Sequence, residues 1–154
     1  MQSILAEMRK TKELLLDLEK YENKGVFYFH INDVLNSVCN IPKRKDNSGL
    51  YVFYSENKEL VYVGISGREG LDGNIIHRKD GLRGRFLTGK QFGDRRSITL
   101  PIQMKLDEIS TLEIHWFITY GDKARDIPRP IERALIEMFK TENNGKRPRW
   151  NKKD

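Results

Sequence analysis

Apolar residues recur at helical spacing near the start of the chain: Ile4, Leu5, Met8, Leu14, Leu15 and Leu18 fall near one stripe, with Glu and Lys between them. The pattern predicts a helix over residues 2–22 that Gly25 ends. The period then changes. Residues 26–30 are β-branched or aromatic and predict a short strand. Asn32 or Asp33 can cap a short helix over 34–39, ending before Pro42. Two strand-like runs, 49–55 and 60–66, flank Glu56-Asn57-Lys58-Glu59 and predict a β-hairpin. A glycine-rich loop over 66–81 leads into a short helix over 82–88. Residues 89–111 show no clear period, and Pro101 argues against a continuous helix there. Residues 112–119 alternate, with Leu112, Ile114, Trp116 and Ile118 on one face, as a strand does. Pro128 and Pro130 introduce a helix over 131–141 with Ile131, Leu135, Met138 and Phe139 on its apolar side. This order of elements predicts an α+β fold: a small, mostly antiparallel sheet of three to four strands flanked by helices.

Composition agrees. A chain of 154 residues, 38% hydrophobic with 12 glycines, supports one domain with its own core and excludes disordered and collagen-like classes. The single cysteine, Cys39, excludes a disulfide framework and a Cys-rich zinc site, and reads as a small buried residue. No apolar run approaches ~18 residues, and the start lacks the apolar core of a secretion signal. No membrane association and a cytoplasmic location are expected.

Charge adds a direction. The formal net charge is +6, and two stretches supply the excess: residues 78–96 hold seven basic and two acidic side chains, residues 123–154 ten and five. If the fold joins them, they form one positive face suited to a polyanion; otherwise they are two solvated surfaces.

The hairpin adds geometry. With 55 opposite 60, Tyr51 lies opposite Gly64 and Phe53 opposite Tyr62, all four on one face. Two phenols then share a diagonal beside a residue without a side chain, where a ligand backbone has room to approach. The same pattern also suits an aromatic face packed into a core. Other chemistries lack their signatures. There is no glycine-rich phosphate loop with Lys-Ser/Thr and no His-Glu-x-x-His, and His30, His77 and His115 are scattered.

Gly49-Leu50-Tyr51, ten further residues, then Tyr62-Val63-Gly64 resembles the signature of the GIY-YIG nucleases. Leu82-Arg83-Gly84-Arg85-Phe86 is similar to that family's arginine-bearing helix. Ile131-Glu132-Arg133-Ala134-Leu135-Ile136 resembles its glutamate helix, and Pro148-Arg149-Trp150-Asn151 resembles the ending of some members. The resemblance spans about residues 41–151. It divides the chain into an N-terminal extension, 1–40, packed on the core, and a nuclease-like domain, 41–154. Three features depart from the family. Ile65 stands where a lysine often follows the second motif, and Gly89 where His or Tyr often lies four residues after the arginine. The span between Gly64 and Arg85 is also long. His77, inside that span, either replaces a missing proton-handling group or is a surface-loop residue. Arg78 and Arg83 are alternatives to Arg85, which is favoured because Leu82 precedes it by three and an apolar residue follows.

The resemblance implies a metal-dependent DNA endonuclease, of restriction or phage type, that hydrolyses phosphodiester bonds of duplex DNA. It implies that Tyr51 orients or deprotonates the attacking water with help from Tyr62. A free phenol titrates near pH 10, so neighbouring cations must lower it for that role. Arg85 would neutralise the phosphate, and Glu132 would hold Mg²⁺, or Mn²⁺ in its place, with waters and phosphate oxygens. A lone glutamate in the first turn of a helix also fits plain N-terminal electrostatics. Asn151 would orient the site; Trp150 anchors the tail or stacks on a base. Arg78, Arg83, Lys90, Arg95, Arg96, Lys146, Arg147 and Arg149 are the expected nucleic-acid contacts, and a homodimer is the simplest way to cut both strands. Specificity would fall to loops 66–81 and 89–111 and the N-terminal helix. Ile65 and Gly89 motivate a rival: a catalytically inactive nucleic-acid-binding module of the same fold. A protein-interaction domain with an incidental basic face is a third reading.

Overall fold

A computed structural model describes residues 11–152. Residues 2–10 of the expected N-terminal helix lie outside the described residues. From 11 to 17 the chain is helical (α1), and the turn Leu18–Lys20 continues it as a 3₁₀ turn. The elements that follow are β1 (Lys24–His30), α2 (Leu35–Val38), β2 (Ser48–Ser55), β3 (Leu60–Ser66), β4 (Arg68–Glu69), β5 (Ile75–Ile76) and α3 (Gly81–Thr88). The chain continues through β6 (Lys90–Gln91), β7 (Asp94–Arg95), α4 (Arg96–Leu106), β8 (Thr111–Tyr120) and α5 (Pro128–Glu142). The class is α+β. Four strands form one antiparallel sheet in the order β1-β8-β2-β3, and β4/β5 and β6/β7 are separate two-stranded ribbons inside the expected loops. Among the described residues no helix is long and apolar enough to cross a membrane.

The alternation of β2 explains the layering. Tyr51 and Phe53 point to one face, where they join Phe27, Leu82, Phe86, Leu100, Met104 and Ile114 under α3 and α4. Leu50 and Val52 point to the other, where they join Leu18, Val63, Phe117 and Leu135 under α1 and α5. Leu50, Phe53 and Ile114 are 0% exposed, and burying each such side chain stabilises by roughly 1.5–3 kcal/mol. The segment expected as an extension enters the sheet itself at β1, and Phe27, Phe29, Leu35 and Cys39 are part of the core.

Two local expectations change. Tyr51 does lie opposite Gly64 and Phe53 opposite Tyr62, but the ladder then slips, pairing Tyr54 with Leu60. Lys58 takes φ 65° and donates its N–H to the Ser55 carbonyl at 2.9 Å, and Ser55 N donates to the Glu59 carbonyl. The turn is therefore tighter than the expected 55–60 pairing. Pro101 sits inside α4 without ending it. Pro101 is the sixth of its eleven residues, and the complete burial of Arg96, Leu100 and Met104 holds the helix against the missing donor.

Candidate active site

β3 is a free sheet edge, and three elements converge on it. α3 approaches from one face of the sheet, α5 from the other, and the C-terminal tail runs along the edge. Trp150 N donates to the Val61 carbonyl at 2.9 Å. Asn151 then mimics a strand with its side chain: Val63 N donates to Oδ1, and Nδ2 donates to the Val63 carbonyl, both at 2.9 Å. The Trp150 indole is 3% exposed and donates to Asp107 Oδ2 at 2.7 Å, so it anchors the tail and is not free to stack on a base.

The junction encloses a cleft of about 550 Å³. Tyr62, Gly64 and Ile65 of β3, Arg85 of α3, Glu132 of α5 and Asn151 of the tail all line it. Arg68, Arg78, Arg129 and Lys152 complete its polar wall, so five cationic side chains face one carboxylate. Both basic stretches contribute, Arg78 and Arg85 from one and Arg129 and Lys152 from the other. Glu132 lies more than a turn inside α5, which begins at Pro128, and not in the first turn. Helix-terminus electrostatics therefore do not account for it.

The two tyrosines separate. Tyr62 is half-buried and lines the cleft. Burial pushes its phenol above the ordinary tyrosine range, the neighbouring Tyr51 adds to the rise, and the guanidiniums of Arg96 and Arg85 oppose it. The expected lowering by cations is outweighed by desolvation. Tyr51 is 1% exposed and does not line the cleft. It lies between Phe53 and Tyr62, ring centres 5.7 and 6.2 Å away, and the edge of Phe86 meets it at 5.3 Å. A water-activating role for Tyr51 is therefore replaced by a packing role. Gly64 changes meaning too: a Cβ there would run into the Tyr51 ring and come within 2.8 Å of Tyr62 Cε2. The room beside Gly64 is taken by the phenol rings, not left for a ligand.

Arg96 was expected as a nucleic-acid contact and is instead 0% exposed. Its Nε donates to Gln91 Oε1 at 2.8 Å, Nη1 to the Phe86 and Arg85 carbonyls at 2.8 and 3.1 Å, and Nη2 to the Tyr62 hydroxyl at 3.4 Å. The guanidinium lies 4.9 Å from the Tyr51 ring centre and 5.5 Å from that of Phe86. Carbonyls and aromatic faces compensate its desolvation. Arg83 is likewise spent internally, donating to the Cys39 and Ile41 carbonyls at 3.1 and 2.7 Å. Of the three arginines weighed for the family position, Arg78 and Arg85 both line the cleft, and Arg85 is the one that α3 supplies. Gly89 is closed off by Arg85 and Arg96: a Cβ there would meet the Arg85 carbonyl and come within 3.1 and 3.2 Å of the Nη1 atoms of Arg85 and Arg96.

The remaining basic candidates lie around the cleft. Lys90 and Arg95 are exposed on the β6–β7 ribbon, next to the cleft residues Gln91 and Phe92. Arg149 pairs with Glu59 at 3.1 Å. Arg147 donates to the Lys152 carbonyl at 3.0 Å, folding the tail. With Lys140, Lys146 and Lys152 these two line a shallow basic depression that shares Asn151 and Lys152 with the cleft.

His77 is a site residue that composition could not single out. It follows β5, lines the cleft and is half-buried. Its Nδ1 lies 2.6 Å from Ser48 Oγ, and its ring meets Tyr120 edge-on at 5.9 Å. His77 thus stands in a loop, as expected, and that loop borders the cleft. Among the described residues there is no cluster of three or more His, Cys, Asp or Glu suited to a metal. Among the described residues Glu132 is the only carboxylate lining the cleft. Compared with known proteins, the chain matches no family model, no curated protein and no solved structure.

Proposed function

We propose that this chain is a metal-dependent endonuclease of the GIY-YIG kind, hydrolysing phosphodiester bonds of duplex DNA. One observation carries the reading: Tyr62, Arg85, Glu132 and Asn151, spread over ninety positions of sequence, meet at one open, cationic cleft. The resemblance ordered these residues along the chain; the fold brings them to one edge of a sheet.

Each residue has a task the geometry suits. Arg85, which lines the cleft, can offer its guanidinium to two phosphate oxygens. Tyr62 stays protonated at neutral pH and donates its hydroxyl proton to a phosphate oxygen or the attacking water. Arg68, Arg78, Arg129 and Lys152 hold flanking phosphates, which sets position and not sequence. Asn151 is a positioning residue, since both ends of its amide are engaged by Val63. A single carboxylate fits Mg²⁺, which commonly takes one or two protein carboxylates and completes its shell with waters and phosphate oxygens. Glu132 would hold it. When bound, the ion supplies charge neutralisation at the phosphate and the leaving oxygen.

Incubation of supercoiled and linear duplex DNA with the chain and Mg²⁺ tests the reading. Nicked or linear products are expected, and Glu132→Ala is expected to abolish them while salt-sensitive binding persists. Ile65, which lines the cleft where the family often carries a lysine, favours the second reading, a binding module without cleavage. That reading predicts binding with no product in Mg²⁺ or Mn²⁺.

A further inference from the structure

We propose that His77 is the proton acceptor for the attacking water, held in its working orientation by Ser48. The inference rests on the nuclease reading and assigns the step that reading leaves open. Hydrolysis at neutral pH needs a base near the phosphate. Tyr51 is sealed in the core, Tyr62 is held in its protonated form by burial, and Ile65 has no proton to exchange. Among the described residues, His77 is the imidazole that lines the cleft. An imidazole changes charge between pH 5 and 8, where such a base is most effective.

The site around the ring is built. Ser48, 0% exposed, occupies the start of β2 and meets His77 Nδ1 through its hydroxyl at 2.6 Å. The edge of Tyr120 fixes the ring plane from the end of β8. Gly67 makes the pair fit: a Cβ there would collide with Ser48 Oγ and stand 2.6 Å from Ser48 Cβ. With Nδ1–H donated to Ser48 Oγ, Nε2 is the nitrogen left for the cleft. The charged groups that line the same cleft are the guanidiniums of Arg68, Arg78, Arg85 and Arg129, the Lys152 ammonium and the Glu132 carboxylate, and the Asp46 carboxylate is held down by its hydrogen bond to Arg44 and in part by the charge of His77.

The step balances without a further reactant. The water oxygen forms a bond to phosphorus as the bond from phosphorus to the leaving nucleoside oxygen breaks. The water's proton passes to His77 Nε2, and the leaving oxygen takes a proton from solvent.

The test is plasmid cleavage in Mg²⁺ across pH 5–8 by the wild-type chain and by His77→Gln, whose amide can still reach Ser48 but takes no proton at these pH values. The expected rate loss is about 10²–10⁴-fold, with DNA affinity changed less than twofold and the acidic limb of the pH profile gone. His77→Gly is expected to regain rate with added imidazole, and this decides the matter if the glutamine variant does not fold. Ser48→Ala is expected to lose less rate than His77→Gln and to keep the limb. Wild-type-like cleavage by both His77 variants, or an acidic limb that survives them, overturns this inference alone. A wild-type chain that binds DNA but never cuts it overturns the nuclease reading as well.

Discussion

Residues 78–96 and residues 123–154 carry the same excess of five positive charges and use it in opposite ways. In the first stretch two arginines turn inward. Arg83 and Arg96 donate to main-chain carbonyls, and Arg96 is sealed beneath the tyrosines. Only Arg78 and Arg85 face the cleft. In the second stretch most of the described cations stay at the surface, with Arg129 and Lys152 in the cleft and Lys140, Lys146 and Arg149 around the adjoining depression, while Arg147 donates to the Lys152 carbonyl. The lesson is that charge counted along a chain is not charge offered to a ligand. A guanidinium has five donors, and a nearby turn with open carbonyls can claim them before any phosphate does.

The comparison is most easily broken at Arg95 and Arg96, neighbours of identical type. Arg96→Ala should cost about 3–5 kcal/mol of stability by emptying a buried site and orphaning its acceptors, whereas Arg95→Ala should change stability by less than about 0.5 kcal/mol. Denaturant unfolding of the two variants measures the contrast. Next comes Arg85→Ala, which should lose about 10²–10³-fold in cleavage rate with the fold intact. Arg83→Ala should lower stability by about 1.5–3 kcal/mol and leave the salt dependence of DNA binding unchanged, because its charge serves the Cys39 and Ile41 carbonyls. Lys146→Ala should do the reverse: stability stays, and the slope of log affinity against log salt falls by about one contact.

The smallest effect is alkaline. The Tyr62 phenol is raised by burial, and that of Tyr54, on the other sheet face, is pushed up to about 12 by burial and the Glu113 carboxylate. A phenol that binds its proton more tightly when folded contributes stability that is full below the unfolded value near 10. That contribution should fade as pH rises from about 10 towards 12. Unfolding midpoints and phenolate absorbance measured together over this range check it.

The features written in short-range pattern were legible. Alternation in 49–55, 60–66 and 112–119 placed Tyr51 against Gly64 and marked the sheet, and proline then apolar periodicity marked α5. Features that depend on which side chain a fold encloses were not. Nothing in the Tyr51 and Tyr62 motifs says that one ring will lie behind the other. Arg95-Arg96 reads as one basic pair until the start of α4 points the second inward. The resemblance singled out Asn151 as a candidate, but its pairing with Val63 needs the edge of β3. The β4–β5 ribbon is two residues a strand, too short to leave a period, and it is what carries His77 to Ser48.

The central claim is that Arg85 and Glu132, brought by helices from opposite faces of the sheet, act on one phosphate. Single-turnover cleavage of duplex DNA in Mg²⁺ by the wild type, Arg85→Ala, Glu132→Ala and the double variant tests it most directly. The account predicts wild-type cleavage, a loss of at least about 10² in each single variant, and a double variant no slower than the worse single one. A wild type that yields no product, or single variants that cut at the wild-type rate, would contradict it.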